Sequence, residues 1–180
     1  MQIESTPIEG LKVITPKVFR DDRGYFFESF NAEIWAKEGL PSEFVQDNQS
    51  LSSKGILRGL HFQEEPFAQG KLVRVIKGSV LDVAVDIRKD SPTYGKHFAI
   101  ELNEDNLIMF WIPTGFAHGF LTLKDDTIFS YKCTSVYNKE SEGGLAWDDP
   151  QLNIDWGIDN PILSDKDKVN PTLDNFTSPF

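Results

Sequence analysis

Three side chains able to hold or move a proton fall within the middle third of the chain. His61 lies in Gly55-Ile56-Leu57-Arg58-Gly59-Leu60-His61-Phe62-Gln63, Lys71 follows ten residues later, and His118 lies in Pro113-Thr114-Gly115-Phe116-Ala117-His118-Gly119. A neutral imidazole is a competent general base near neutral pH when a carboxylate orients its other ring nitrogen. Asp82, Asp86, Asp165 and Asp167 are the candidates for that carboxylate, and spacing does not choose among them. A lysine turned into the same cavity would stabilise an oxyanion or an enolate. Tyr131, with Phe129 and Cys133 on its strand face, adds a phenol that can give or take a proton. A lone histidine among apolar residues is usually a hydrogen-bonded part of the core; the company of Lys71 and His118 is what points to function. Taken singly, Lys71 reads as a solvated strand end, Tyr131 as a core aromatic and the aspartates as surface. Cys133 reads as a small buried hydrophobe.

Metal chemistry is the first alternative. Pro113-x-Gly115-x-x-His118 resembles the second metal-binding motif of cupin barrels. In metal cupins the first motif supplies two histidines two residues apart and a glutamate, whereas this chain reads His61-Phe62-Gln63, and its other histidine, His97, has no ligand-like neighbour. One or two imidazoles without a carboxylate make a poor divalent site. The expectation is a cupin-like barrel with no metal and no cofactor.

The elements that must position these groups are short strands. Ile56–Gln63, Lys71–Lys77, Leu81–Ile87, His97–Leu102, Leu107–Ile112, Phe116–Leu123 and Thr127–Tyr137 follow one another closely, with Gly and Pro between them. Leu81, Val83, Val85 and Ile87 alternate with Asp82, Ala84 and Asp86. Period two places Gly59, His61 and Gln63 on one face, opposite Arg58, Leu60 and Phe62. Upstream, Ile8–Phe19 is strand-like with Pro16 marking an edge or bulge, Tyr25–Phe30 is an aromatic strand, and Phe44–Leu51 carries Gln46-Asp47-Asn48. The one helix expected runs from an Asn31 cap through Lys37. This rhythm predicts an all-β sandwich or barrel, a single unit over residues 1–180, with a tail from about 145 lying over it.

Bulk properties narrow the partners. The net charge of −10 argues against nucleic acid or an anionic membrane. All five arginines (Arg20, Arg23, Arg58, Arg74, Arg88) fall in the first half, which suits a local anion pocket in an acidic protein. With one cysteine no intrachain disulfide forms, no apolar run approaches a membrane span, and a cytoplasmic location is expected.

Taken together, the motifs resemble the dTDP-4-dehydrorhamnose 3,5-epimerase family over nearly the whole chain. The resemblance is carried by Pro16-Lys17-Val18-Phe19, Asp22-Arg23-Gly24-Tyr25-Phe26-Phe27-Glu28-Ser29, Phe44-Val45-Gln46-Asp47-Asn48 and Leu57–Gln63. It continues through Gln69–Arg74, Asp82–Arg88, Trp111-Ile112-Pro113, Gly115–Phe120, Tyr131-Lys132, Ser141-Glu142-Gly143 and Leu163–Asp167. It implies a cupin-like jelly-roll barrel, His61 as base with Asp167 as its dyad partner, Tyr131 as acid on the opposite sugar face, and Lys71 near the 4-keto oxygen. It further implies that Arg23, Glu28, Gln46, Asp47, Asn48, Arg58, His118, Glu142 and Lys166 hold the nucleotide, diphosphate and sugar. Arg23 and Glu28 would reach the site from a partner subunit of a homodimer, on N-terminal strands (about 1–30) that cross between protomers. Departures from the family pattern are small: Gln49 where a histidine can occur, and Gly157 after Trp156 where proline is common. Inversion at C3 alone, or sugar-nucleotide binding without turnover, are the readings in competition.

Overall fold

The computed structural model describes residues 1–180, and its regular secondary structure is almost all strand, with one short α-helix and three 3-10 turns. In chain order they are β1 (Gln2–Ser5), β2 (Lys12–Thr15), β3 (Phe19–Asp21), β4 (Gly24–Phe26), β5 (Gln46–Ser52), β6 (Leu57–Gln63) and β7 (Lys71–Lys77). Then come β8 (Ser79–Asp86), β9 (His97–Asn103), β10 (Met109–Ile112), β11 (Phe116–Thr122), β12 (Thr127–Cys133) and β13 (Glu142–Gly144). A six-stranded sheet, β1-β2-β10-β7-β12-β5, faces a five-stranded sheet, β13-β6-β11-β8-β9, while β3 and β4 form a separate hairpin. All paired strands within these sheets are antiparallel, as the short, closely spaced strands predict. The architecture is the cupin-like jelly roll.

Three apolar clusters stack through the molecule and explain why so many strands are buried on both faces. Val73, Val75, Phe110 and Phe129 from one sheet meet Val80, Ala84, Leu102 and Phe120 from the other to fill the space between. The outer face of the five-stranded sheet presents Leu57, Leu60, Val83, Val85 and Leu121, covered by tail residues including Leu145, Leu152 and Trp156. The outer face of the six-stranded sheet presents Ile14, Leu72, Met109 and Trp111, covered by Trp35 of the single helix α1 (Ala32–Lys37) with Phe30 and Phe44 beside it. Burying such side chains contributes about 25 cal/mol per Å² of apolar area removed from water, which offsets the ordering of a long, irregular tail.

Helix α1 begins where expected: the Asn31 side chain accepts from the backbone N–H of Glu33 (3.1 Å) and Ile34 (3.2 Å), relieving two of the helix's unpaired donors. Elsewhere the strand expectations need correction. Between Ile8 and Phe19 the chain forms a strand only over Lys12–Thr15, and β2 lies inside its sheet between β1 and β10, so Pro16 ends a strand without marking an edge. The aromatic run Tyr25–Phe30 is extended only to Phe26, in a hairpin whose Phe19, Tyr25 and Phe26 rings are exposed. The strand beginning at Thr127 stops at Cys133, and β1 and β13 were not expected.

The alternation along β8 is real, but its polarity is inverted. Val83 and Val85 point outward beneath the tail, while Val80 and Ala84 point between the sheets, and Asp82 and Asp86 share that inner side. Both aspartates have fully buried side chains. The aspartates are therefore not surface residues, because the tail takes the outer face that water would otherwise occupy.

Candidate active site

His61 enters the site through an irregularity in β6. Between β6 and β11 the register runs His118↔His61 and then Phe120↔Arg58, so three positions on β6 oppose two on β11. Such a bulge re-aims side chains. Gly59 makes it possible: its φ is +125°, and a β-carbon there would lie 2.5 Å from the Gly119 α-carbon. The consequence corrects the period-two reading, because Arg58 and His61, expected on opposite faces, both line the same cavity. The close approach expected at Gly59 is made by the neighbouring strand.

This cavity has a volume of about 510 Å³ and is lined by Asn48, Arg58, His61, Lys71, His118, Tyr131, Lys166 and Asp167, with Ile56, Phe120, Ile162 and Ser164 among the rest. Eight of the sequence-predicted site residues therefore converge. They come from opposite walls: Asn48, Lys71 and Tyr131 stand on the six-stranded sheet, Arg58, His61 and His118 on the five-stranded sheet, and Lys166 and Asp167 on the tail.

Each of the four carboxylates considered for orienting His61 has a distinct partner. Asp167 accepts from His61 Nε2 at 2.5 Å. Asp82 faces His118 Nε2, both oxygens at 3.0 Å. Asp86 is held by Arg88, Ser91 and Thr93; burial raises its carboxyl, but these hydrogen bonds outweigh burial and bring it down to about 2. Asp165 is on the surface with Lys168. For Asp167, too, burial pushes upward, and the hydrogen bond and charge of His61, with Ser164 and Lys166, carry the net shift below the ordinary carboxylate range. Asp167 thus stays ionised against His61. With its proton on Nε2 facing Asp167, the imidazole leaves the Nδ1 lone pair free.

Lys71 and Tyr131 are both shifted by burial, in opposite directions. Burial pushes the Lys71 ammonium down, opposed by the potential of Cys133, Asp82 and Glu142. Burial pushes the Tyr131 phenol up, and Cys133 adds to this while Arg58 and Asn48 oppose it. The phenol is therefore protonated near neutral pH and able to donate. Cys133 is fully buried opposite Lys71 in the β7–β12 register, and burial pushes its thiol up, so it is unreactive packing.

A second chamber of about 300 Å³ shares Asn48, His61, Lys71 and Tyr131 with the first and adds Gln46, Gln63, Tyr137 and Glu142. Lys166, from the tail, is ion-paired with Glu142 across this junction. Burial raises the Glu142 carboxyl, but Lys166 outweighs it and the net shift is down. Gln46 accepts from the Tyr137 N–H (2.8 Å), so part of its predicted ligand-binding capacity is spent on the backbone. Gln63, at the place of the missing cupin histidine, donates to the Phe67 and Val136 carbonyls and accepts from Asn138 N–H. No three His, Cys, Asp or Glu side chains come together as a metal-ligand set.

Three predicted residues stand away from both chambers. Asp47 points to the outer side of β5, where it pairs with Lys132 at 3.0 Å, because Gln46 and Asn48 take the inner positions on either side. Arg23 is 90% exposed and paired with Asp21 at the hairpin turn, and Glu28 accepts from Asn31. Two contributors were missed. The sequence offers Asp82 only as a partner for His61, and it offers Tyr137, whose hydroxyl donates to Glu142 at 3.1 Å, only as a strand end. Its phenol, close in sequence to Glu142, was the available signal.

The family profile for dTDP-4-dehydrorhamnose 3,5-epimerase matches residues 5–175. The dTDP-4-dehydrorhamnose 3,5-epimerase of Shigella flexneri is 52% identical over 168 residues, covering 93% of either chain. The crystal structure of the enzyme of that name from Elizabethkingia anophelis superposes with a TM-score of 0.92 at 47% identity, covering 98% of this chain and 99% of that one. A dTDP-6-deoxy-D-glucose 3,5-epimerase from Legionella pneumophila, solved in complex with dTDP-4-keto-L-rhamnose, superposes with a TM-score of 0.92 at 48% identity, covering 96% and 93%.

Proposed function

The chain belongs to the dTDP-4-dehydrorhamnose 3,5-epimerase family, and on that premise we propose that it converts dTDP-4-keto-6-deoxy-D-glucose to dTDP-4-keto-L-rhamnose by inverting C3 and C5 through an enolate. The observation that carries this reading is the placement of His61 with Asp167 on one wall of the cavity and Tyr131 on the opposite sheet. A 4-keto group acidifies the C–H bonds on both of its neighbours, so one base and one enolate stabiliser serve two inversions. His61 removes the proton through Nδ1, and Asp167 supports the imidazolium that results. Lys71 holds the 4-oxygen as negative charge develops on it. General acid–base catalysis contributes about 10²–10⁴-fold, so stabilisation of the enolate must supply much of the remainder. Tyr131 returns a proton to the other face. Arg58, held toward Ser52 by two 3.3 Å contacts, matches the diphosphate, with Asn48, His118, Lys166, Gln46 and Glu142 around the nucleotide and sugar. No metal or other cofactor enters this chemistry. Binding without turnover would need neither a base nor an acid.

Incubation with dTDP-4-keto-6-deoxy-D-glucose in heavy water, followed by NMR of the sugar, tests the proposal. Deuterium should enter at both C3 and C5 with inversion. Incorporation at C3 alone would reduce the activity to a single epimerisation, and incorporation at neither would sink it.

What the single chain leaves open supports a shared-site homodimer. The Phe19, Tyr25 and Phe26 rings are 54%, 51% and 66% exposed, while β5, which carries Gln46 and Asn48, is a bare sheet edge. Large exposed rings and an open edge are both liabilities that pairing with a second copy removes. Crossing N-terminal strands would deliver Arg23 and Glu28 to the partner's cavity. Mixing Arg23→Ala subunits with His61→Ala subunits should then restore part of the activity; exchanged subunits that regain none would refute the shared site. The net charge of −10 fits a sugar nucleotide better than a nucleic acid, no helix is long and apolar enough to cross a membrane, and a cytoplasmic site of action suits the substrate.

A further inference from the structure

We propose that Asp149, outside both chambers, is a positioning residue that holds the strap of chain presenting Asp167 to His61; its bearing on catalysis rests on the epimerase reading above. Asp149 is 3% exposed, and its carboxylate is spent entirely on backbone. Oδ1 accepts from the N–H of Gln151 (2.7 Å) and Leu152 (3.0 Å), and Oδ2 accepts from the N–H of Leu173 (2.6 Å). Leu173 opens a short 3-10 turn, Leu173–Asn175, whose own N-cap residue Thr172 makes no side-chain cap bond. Asp149 supplies that cap from 24 residues away. A carboxylate accepting backbone N–H bonds at a helix start is among the stronger hydrogen-bonding arrangements.

The strap is fixed on both sides of Asp167. Upstream, Ile162 exchanges backbone hydrogen bonds with Leu57 and Gly55 on either side of Ile56. Downstream, the Asn170 amide rests on Gly144, where a β-carbon would come within 2.6 Å of it, and Pro171 accepts from Ala146 N–H at 2.8 Å. Asp149 closes that side. Between these anchors Asp167 meets His61 through a single oxygen. A displacement on the order of 1 Å in such a contact can cost roughly 10²-fold in rate. Loosening this part of the downstream anchor therefore acts on proton transfer through Asp167, while Asn48, Arg58, Lys71, His118 and Tyr131, built on strands, stay in place and Lys166 keeps its ion pair with Glu142.

Asp149→Asn tests this. Its remaining oxygen can still serve Gln151 and Leu152, but its NH₂ would oppose the Leu173 N–H, donor against donor, so the cap is lost. Deuterium exchange at C3 should slow at least about tenfold in kcat, with KM and dTDP affinity changed less than about twofold. Added to Asp167→Asn, the same substitution should cost less than about twofold more, because its effect passes through Asp167; a general structural role would add in full. The ¹⁵N spectrum of the His61 ring gives a reading without substrate: one tautomer, protonated at Nε2, in the wild type, and a mixture in Asp149→Asn. Leu173→Pro provides a second route: it removes the N–H that Asp149 accepts, and Leu173→Ala, which removes the side-chain packing but keeps that N–H, is its control. Proline is tolerated at the first position of a helix, and Thr172 before it is already extended (φ −74°, ψ 163°). It should reproduce Asp149→Asn, and it decides the question if that variant fails to fold. Wild-type exchange with an unchanged His61 spectrum, or an additive loss in the double variant, would overturn the proposal. If the wild type exchanges nothing while the His61 spectrum still responds to Asp149→Asn, the positioning stands and the epimerase reading falls.

Discussion

Two histidine–aspartate pairs flank the same cavity, and they are built in opposite ways. His118 and Asp82 both belong to the five-stranded sheet, on adjacent strands β11 and β8, with Asp82 opposite Phe120 in the ladder. Their side chains are 8% and 0% exposed, both carboxylate oxygens stand 3.0 Å from Nε2, and the His118 ring lies 21° from parallel to Phe129. His61 and Asp167 are 106 residues apart, joined by one oxygen at 2.5 Å, with the His61 side chain 26% exposed. His61 comes from a bulge and Asp167 from the tail, although the register sets His61 directly opposite His118. A pair fixed within a ladder has little freedom to respond when charge moves. A pair assembled across a strap leaves one ring nitrogen open to the cavity and one firmly oriented, which is what proton abstraction needs. We read the first pair as a fixed wall and the second as the working base.

The largest effects should come from the working pair. His61→Ala should reduce C–H exchange by about 10³-fold or more, since it removes the proposed base and leaves only the imidazole of the fixed pair. Asp167→Asn should cost about 10²-fold or more in kcat while leaving KM nearly unchanged, because the amide can no longer hold the required tautomer or support an imidazolium. Normal exchange in His61→Ala, read by NMR in heavy water, would break the comparison outright.

Next in size is Tyr131, which should separate the two halves of the proton transfer. His61 cannot both remove a proton and deliver it to the opposite face without a second group. Tyr131→Phe keeps the ring and removes only the phenolic proton. Exchange of substrate hydrogen with solvent should persist, and net epimer should form about 10²-fold more slowly. Epimerisation at the wild-type rate would assign the acid to another group, and loss of exchange as well would make Tyr131 part of enolate formation.

Which parts of this were legible in the sequence follows a physical pattern. His61, Lys71, His118 and Tyr131 could be found because their chemistry is rare among apolar strand residues, and Asn31 announced the helix because capping is a local effect. The orientation of Arg58 was not legible: one extra residue in a ladder inverts every face prediction beyond it, and only the pairing with β11 reveals the bulge. Asp82 and Asp86 read as solvent-facing because alternation gives two faces without saying which is wet, and the covering tail lies far away in sequence. Asp167 was one of four equivalent carboxylates until the resemblance, and then the strap, singled it out. Arg23 and Glu28 stand away from this chain's own cavity, and only the resemblance names them as ligands.

The smallest effect expected on catalysis belongs to the fixed pair, and its pH dependence sharpens the contrast. Asp82→Asn preserves shape and one acceptor for His118 but removes a buried charge, so stability should fall by about 1–3 kcal/mol in denaturant unfolding. His118 would be held less firmly, so KM should rise several-fold, while kcat for exchange at neutral pH stays within about threefold of wild type. Asp82 also acts on Lys71. Burial pushes the Lys71 ammonium down, and the negative potential of Asp82 is among the influences that hold it up. Removing that charge lowers the Lys71 pKa further. A lysine that must be protonated to hold the enolate oxygen fails once pH passes its pKa, so the alkaline fall in kcat should move to lower pH in Asp82→Asn. Asp167→Asn, whose charge is not among the main influences on Lys71, should lower the whole profile and move that limb less than Asp82→Asn does. If Asp82→Asn lost as much kcat at neutral pH as Asp167→Asn, both pairs would be moving protons and the division between wall and base would be wrong. An alkaline limb that stayed in place while KM rose would confine Asp82 to holding His118 and remove Lys71 from its reach.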